Sequence, residues 1–245
     1  MGTEKVSALP TIDPDNTADP DEIIANFAER GFLSIYLRRV NYQGFARKRY
    51  GLDTSLRKWL SYYRRFIDAL IRHNRTAEVP MEEYYFSHLL RRILQGGHHN
   101  HVDLRNPSWL GHDYVVVDFD GKLYPTDEAR MVSRVGQVDL SIGTLSDGID
   151  RNKTAALNQH VSNFDDPDCM DCAYKPYCGI DIVDDLSRYG RIDLPRHQTD
   201  HCQYHMGLFD LAFELIYSTD ADVRHSLAAW LGVPHFSTEL AQRHT

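Results

Sequence analysis

The chain has little cysteine: four among 245 residues, with none before position 169. It has no uninterrupted apolar run of about 18 residues, so no membrane-spanning helix is expected. It also has no internal repeat or low-complexity tract, which excludes a solenoid. A formal net charge of −8 argues against generic nucleic-acid binding. With 42% hydrophobic residues, the chain can nevertheless bury a sizeable core.

The four thiols lie close together, late in the chain. Cys169, Cys172 and Cys178 fall in CMDCAYKPYC and Cys202 in DHCQYH, which gives the spacing C-x2-C-x5-C-x23-C. Soft thiolates select zinc or iron-sulfur clusters, and both commonly take four such ligands. A zinc ribbon usually uses two short C-x2-C knuckles, and only one is present here. The spacing therefore favours one [4Fe-4S] cluster, with zinc as the alternative.

The first residues, MGTEKVSALPTIDPDN, show neither the basic nor the apolar segment of a secretory leader. We therefore expect a cytoplasmic protein, in which thiols stay reduced. Two disulfides are disfavoured on this ground. Buried thiols without a metal remain a further alternative.

Two segments carry a family resemblance. The run CMDCAYKPYCGID with Cys202, and the upstream DFDGKLYPTDEAR, resemble the C-terminal auxiliary-cluster extension, called SPASM or twitch, of radical SAM peptide and protein maturases. In that family, D-x-x-G-x-x-Y-P-C supplies a ligand to a first cluster, and C-x2-C-x5-C with a distant cysteine holds a second. Here Asp118, Gly121, Tyr124 and Pro125 match the first pattern.

Two positions depart from the family pattern. Thr126 stands where the family has the cysteine of the first motif, and Ile182 stands where a further cysteine would follow Cys178. Both departures remove ligands from the first cluster and spare the second. The resemblance thus implies a single [4Fe-4S] cluster, held by the four cysteines.

The resemblance extends upstream to FLSIYLRRVNYQGFARKRYGLD, which is similar to a late strand, loop and helix of a radical SAM barrel. Over roughly residues 20–220 the chain resembles the C-terminal half of the maturases found with His-Xaa-Ser repeat peptides. This implies an α/β fold: the C-terminal part of a partial (β/α) barrel, followed by an α+β SPASM/twitch-like cluster domain. The expected division is a flexible arm (1–20), partial barrel segment and helices (21–105), cluster domain (106–220), and C-terminal helix and tail (221–245).

Radical SAM chemistry requires a C-x3-C-x2-C loop, and this sequence has none. The resemblance therefore implies a component that depends on a partner polypeptide carrying that loop, or on a missing N-terminal half. S-adenosylmethionine would bind only in the assembled complex, and a precursor peptide would be the substrate. The competing class is a zinc-stabilised interaction module. It would hold an acidic protein or nucleic acid through residues 38–75, where 11 Lys or Arg accompany two acidic residues.

Other side chains suggest further hypotheses about metal binding, acid-base chemistry and packing. His98, His99 and His101 could bind a metal, although histidines on a loop after two glycines are more often exposed. Asp127 and Glu128 could act as acid-base groups, for example in a hydrolase, but a surface pair is the commoner explanation. Tyr174 and Tyr177, interleaved with the cysteines, are expected to shield a cluster from water or simply to pack.

Apolar periodicity and turn residues also predict the main elements. The predictions are a helix capped by Asp19 or Asp21 and ended by Gly31, a strand over 32–40, a helix from Thr54 or Ser55, a helix from Met81 to Leu94, a hairpin turning at Asp120–Gly121, and helices over 145–161, 206–216 and 223–231.

Overall fold

The computed structural model describes residues 7–13, 15, 18–43, 47, 56–96 and 101–236. The chain forms two compact units. The first unit comprises residues 1–40, 55–99 and 206–245; the cysteine unit comprises 41–54 and 100–205. In the described part of the chain, the fold is a mixture of helices and small sheets, which agrees with the predicted α/β class.

The elements are numbered in chain order. The helices are α1 (Pro20–Ala28), α2 (Leu56–Asn74), α3 (Tyr84–Leu94), α4 (Asp127–Arg134), α5 (Arg151–Leu157), α6 (Ile182–Tyr189), α7 (Asp200–Ile216) and α8 (Ala221–Leu231). The strands are β1 (Thr11–Ile12), β2 (Ser34–Ile35), β3 (Arg38–Arg39), β4 (Glu82–Glu83), β5 (Val116–Val117), β6 (Lys122–Tyr124), β7 (Gly143–Thr144) and β8 (Gly148–Ile149).

The first unit contains short parallel strand pairs, β1 with β3 and β2 with β4. The predicted strand over 32–40 is present as the two pieces β2 and β3. It is interrupted because the amide of Leu37 donates to the carboxylate Oε1 of Glu83, at 2.9 Å, between the two pieces. Ile35 and Leu37 are buried, as the alternation predicts.

Local signals define the helices of the first unit. Asp19 accepts the amide of Asp21 at the start of α1, and Gly31, with φ +75°, follows the helix, which confirms the predicted ends. Helix α3 begins at Tyr84 rather than Met81. The reason is that Glu82–Glu83 pairs with β2, and the Glu83 side chain caps the helix. Thr54 and Ser55 lie outside the described residues.

The basic run over 38–75 is partly neutralised within the first unit. Four of its cations on α2 or directly after it form ion pairs with acidic side chains: Lys58 with Asp15, Arg64 with Glu214, Arg72 with Asp21, and Arg75 with Asp222. Most of these side chains are well exposed, so the pairs contribute little to stability. They do reduce the positive charge that α2 presents to a ligand.

The cysteine unit contains a four-stranded antiparallel sheet in the order β5-β6-β7-β8. The predicted hairpin is confirmed: β5 and β6 pair around a turn that ends on Gly121, with φ +79°. The helix predicted over 145–161 is wrong in its first part, which instead forms the second hairpin, β7 and β8. Gly143 has φ +149° and lies so close to the carbonyl of Gly148 that no side chain would fit. Helix α5 begins only after its cap, Asp150.

The cysteine unit has its own apolar core, supplied largely by α4, α6 and the loops between them. Its buried members are Leu110, Ala129, Val132, Leu140, Val161, Ile180, Ile182 and Val183. Sequence reasoning missed both α4 and α6. Among the described residues, none of the helices combines the length and apolar character that crossing a bilayer requires.

Candidate metal centre

The first three cysteines lie on one tightly turned loop of the cysteine unit. Asp166 begins it: its side chain accepts the amide of Asp168, and its carbonyl accepts the amide of Cys169 at 3.0 Å. The amide of Cys172 then donates to the carbonyl of Cys169 at 3.2 Å. Cys169 and Cys172 therefore lie on successive turns of the same short backbone segment.

The other end of the loop is held by a buried amide side chain. The Nδ2 group of Asn163 donates to the carbonyls of Lys175, at 3.1 Å, and Cys178, at 3.0 Å. Asn163 itself is fixed by reciprocal bonds with Asn106. Its side chain therefore sets the path of the backbone that carries Cys178.

A glycine is required directly after Cys178. A Cβ atom at Gly179 would lie 2.5 Å from the carbonyl oxygen of Arg105, well inside normal contact distance. The Sγ of Cys178 lies 3.3 Å from the Gly179 carbonyl oxygen. The close approach of the Gly179 and Arg105 backbones thus fixes the chain directly after Cys178, in addition to the bonds from Asn163.

The fourth cysteine lies on a helix rather than on a loop. Helix α7 begins at Asp200, not at Met206 as predicted, so Cys202 belongs to its first turn. The amide of Cys202 donates to the hydroxyl of Thr199 at 3.3 Å, and Thr199 is 2% exposed. A helix terminus with a buried cap gives this thiol a defined position.

The thiols lie close enough to influence one another. Burial, followed by the charges of Asp166 and of two other cysteines, raises the pKa of Cys169 to about 11. Burial raises the pKa of Cys178 to about 12, with contributions from the other three thiols. Burial, followed by the charge of Cys172, raises the pKa of Cys202 to about 11. In this arrangement, neutral thiols are favoured until a metal displaces their protons.

The four thiols influence one another's charge but do not form a metal-binding group in this structure. Within the described residues, no group of three or more His, Cys, Asp or Glu side chains is arranged so that it could hold a metal ion. The donor set fits a thiolate-bound metal or cluster in its chemistry.

The two departures from the family motif have structural roles of their own. Thr126 caps α4, its hydroxyl accepting the amide of Ala129 at 3.0 Å. Ile182 is the first residue of α6, is 3% exposed and belongs to the apolar core. At the two positions where the compared motif has cysteine, this chain therefore has residues that serve capping and packing.

The remaining candidate residues have ordinary environments. Asp127 is exposed and pairs with Arg130 at 2.6 Å, which fits the surface-carboxylate interpretation. Glu128 lies beside it in the first turn of α4. Burial lowers the pKa of His101, whose ring lies 3.9 Å from Asp103. His98 and His99 lie outside the described residues. Shielding by Tyr174 and Tyr177 stays a prediction.

Sequence reasoning found the thiols but missed the polar residues around them. Asn163 and Arg196 are both buried and both contact the cysteine loop. Neither stands at a diagnostic spacing from a cysteine. The role of a buried asparagine or arginine can be recognised only from its hydrogen-bond partners, and these are distant in sequence.

The chain as a whole was compared with known proteins. No protein-family model, curated protein or solved structure matches it. What the four thiols do is therefore inferred from their own chemistry and surroundings.

Proposed function

We propose that this chain is the auxiliary-cluster component of a radical SAM peptide or protein maturase, holding one [4Fe-4S] cluster on Cys169, Cys172, Cys178 and Cys202. The observation that carries the proposal is that one unit of the fold holds all the cysteines of the chain, three on a loop and one in the first turn of a helix. Four soft thiolates are the usual ligands of such a cluster.

The spacing of the cysteines favours a cluster over a single zinc ion, because only one short C-x2-C knuckle is present. Zinc remains the alternative that metal analysis decides.

The rest of the fold is compatible with the proposed family. The hairpin that matches the auxiliary-cluster motif is formed, and the first unit has short parallel strand pairs accompanied by helices, as an α/β fold does. That the first unit is the C-terminal part of a (β/α) barrel belongs to the proposal.

The chemistry follows from full ligation. When bound, a cluster with four cysteine ligands supplies one-electron transfer and has no open iron for a substrate. The chain's own cysteines would hold it in place. We therefore assign the chain a role in electron relay or structural support, in the cytoplasm. A partner carrying C-x3-C-x2-C would cleave S-adenosylmethionine and act on a precursor peptide.

Anaerobic reconstitution with iron and sulfide tests the proposal. We expect about four irons and four sulfides per chain, a brown colour, and loss of both in single Cys→Ser variants. Thr126→Ser, which keeps the capping hydroxyl, is the matched control and should load like the parent chain. A colourless chain with one zinc would overturn the cluster and favour the interaction module.

A second assay tests the division of labour. The loaded chain, given S-adenosylmethionine and a strong reductant, should form no 5′-deoxyadenosine, because it lacks the cysteine triplet. A partner that carries the triplet should restore product formation. Turnover by this chain alone would contradict the proposed dependence on a partner.

A further inference from the structure

Arg196 is a buried arginine between the two cysteine segments. It is 8% exposed and lies six residues before Cys202. Its Nη1 group donates to Asp185 on α6 at 2.6 Å, and its Nη2 group donates to the carbonyl of Ile192 at 3.1 Å. These contacts leave the guanidinium with a fixed orientation, because its donors have a rigid planar geometry.

Arg196 also forms hydrogen bonds with the loop that carries Cys169. Its Nε group donates to Asp166 at 3.0 Å, and its backbone amide donates to Asp168 at 2.7 Å. Asp166 caps the turn Pro167–Cys169. Arg196 therefore joins the backbone that carries Cys169 to the backbone that leads into Cys202.

We propose that Arg196 is the positioning residue of the four-thiolate site: its contacts with Asp166, Asp168 and Asp185 set the distance between Cys169 and Cys202, and its charge balances the thiolates. The proposal rests on the proposed function, since it concerns the same cluster. It adds a residue outside the ligand set that would control both how firmly the cluster is held and how easily it is reduced.

The position of Arg196 supports the second part of the proposal. Its bonds to Asp166 and Asp168 hold it beside the turn that carries Cys169, and its backbone leads into Cys202. A positive charge held beside the ligand segments favours added negative charge on a group bound there. Its removal should therefore make reduction of a bound cluster harder.

Arg188 provides a matched control. It is 9% exposed, belongs to the same unit and forms ion pairs with Asp184, at 2.7 Å, and Asp200, at 3.3 Å. Its guanidinium also lies over the ring of Tyr42. Its loss removes an equally buried charge from α6 but leaves the bonds between Arg196 and the cysteine loop in place.

The test compares the reconstituted parent chain with R196M, R196K and R188M. Iron and sulfide content, the rate of iron loss to a chelator, and the reduction potential are measured, with circular dichroism as the check of folding. R196M should lose iron about tenfold faster, the size usual for residues that orient metal ligands, and its potential should become more negative. R196K keeps the positive charge but loses the planar guanidinium that bonds several partners at once. It should therefore lose iron faster than the parent chain, while its reduction potential stays close to that of the parent.

The outcomes separate the two proposals. A parent chain that binds no iron or sulfide overturns the cluster, and this inference with it. A loaded parent with R196M and R196K indistinguishable from it overturns only the role of Arg196. If R196M does not fold, R196K decides through its iron-loss rate. An R188M potential shift as large as that of R196M would reduce Arg196 to a structural residue and overturn the inference.

Discussion

Glu83 gives the first unit a specific dependence of stability on pH. The side chain is 0% exposed and accepts three hydrogen bonds: from the amide of Leu37 at 2.9 Å, the hydroxyl of Tyr63 at 2.5 Å and the amide of Phe86 at 2.6 Å. Burial raises the pKa of Glu83 to about 7, although these hydrogen bonds act in the opposite direction. The raised pKa means that the folded chain holds a proton that the unfolded chain releases.

The size and sign of the effect follow from that difference. Raising the pKa from 4.5 to about 7 corresponds to about 3 kcal/mol. Because the folded state binds the proton more tightly, this stabilisation is fully present below pH 4.5 and is lost as the pH rises through about 7. Glu83 alone should thus lower the free energy of unfolding by about 3 kcal/mol over that interval.

Urea denaturation at a series of pH values measures the effect. Trp59 and Trp230, each 1% exposed, both belong to the first unit, whereas Trp109 is 49% exposed, so tryptophan emission reports mainly on the first unit. Glu83→Gln removes the titrating group and should flatten the pH profile relative to the parent chain. Glu82→Gln, on the neighbouring residue, should keep the slope.

A third variant tests the same group independently. The hydroxyl of Tyr63 makes the largest hydrogen-bond contribution that opposes the rise in the pKa of Glu83. Tyr63→Phe should therefore move the midpoint of the pH profile to higher pH. The reasoning is refuted if the Glu83→Gln and parent profiles run parallel between pH 4.5 and about 7.

Three further predictions concern the cysteine unit. Gly179→Ala should lower its free energy of unfolding by about 1–3 kcal/mol in urea denaturation, because the new Cβ meets the carbonyl of Arg105. Asn163→Leu should cost about 1–3 kcal/mol and speed hydrogen exchange in the loop, since the carbonyl of Cys178 loses its donor; unchanged exchange would contradict this. Asp150→Ala removes the cap of α5 and should cost about 1 kcal/mol of thermal stability, whereas Asp150→Asn should cost less.

The elements that could be predicted are those whose ends are fixed by local chemistry. Helix α1 lies between the cap Asp19 and the left-handed Gly31, and the turn at Gly121 depends on a single glycine. The errors occur where a tertiary contact decides. Residues 143–149 form a hairpin in which the backbones of Gly143 and Gly148 come very close, an approach that no periodicity reveals.

The candidate site divides in the same way. Thiol chemistry and spacing predict four ligands in one place, and the structure brings Cys169, Cys172, Cys178 and Cys202 into one unit. The polar residues that bond to the cysteine segments, among them Arg196, have partners as far as 30 positions away in sequence. Such pairings are set by the fold and cannot be predicted from the sequence around the cysteines.

The anchoring of the cysteine segments has a thermodynamic consequence for any group they bind. In zinc-finger peptides the free energy of metal binding is also the free energy of folding, because no core exists without the metal. Here Ile180 and Ile182, directly after the third cysteine, belong to an apolar core, and the loop is already bonded to Asn163 and Arg196. The core and these bonds thus contribute to closing the 23-residue gap to Cys202, which costs about 3 kcal/mol of chain entropy. If the cysteines bind a metal or cluster, its removal by a chelator should therefore leave the core packed, with circular dichroism close to that of the loaded chain.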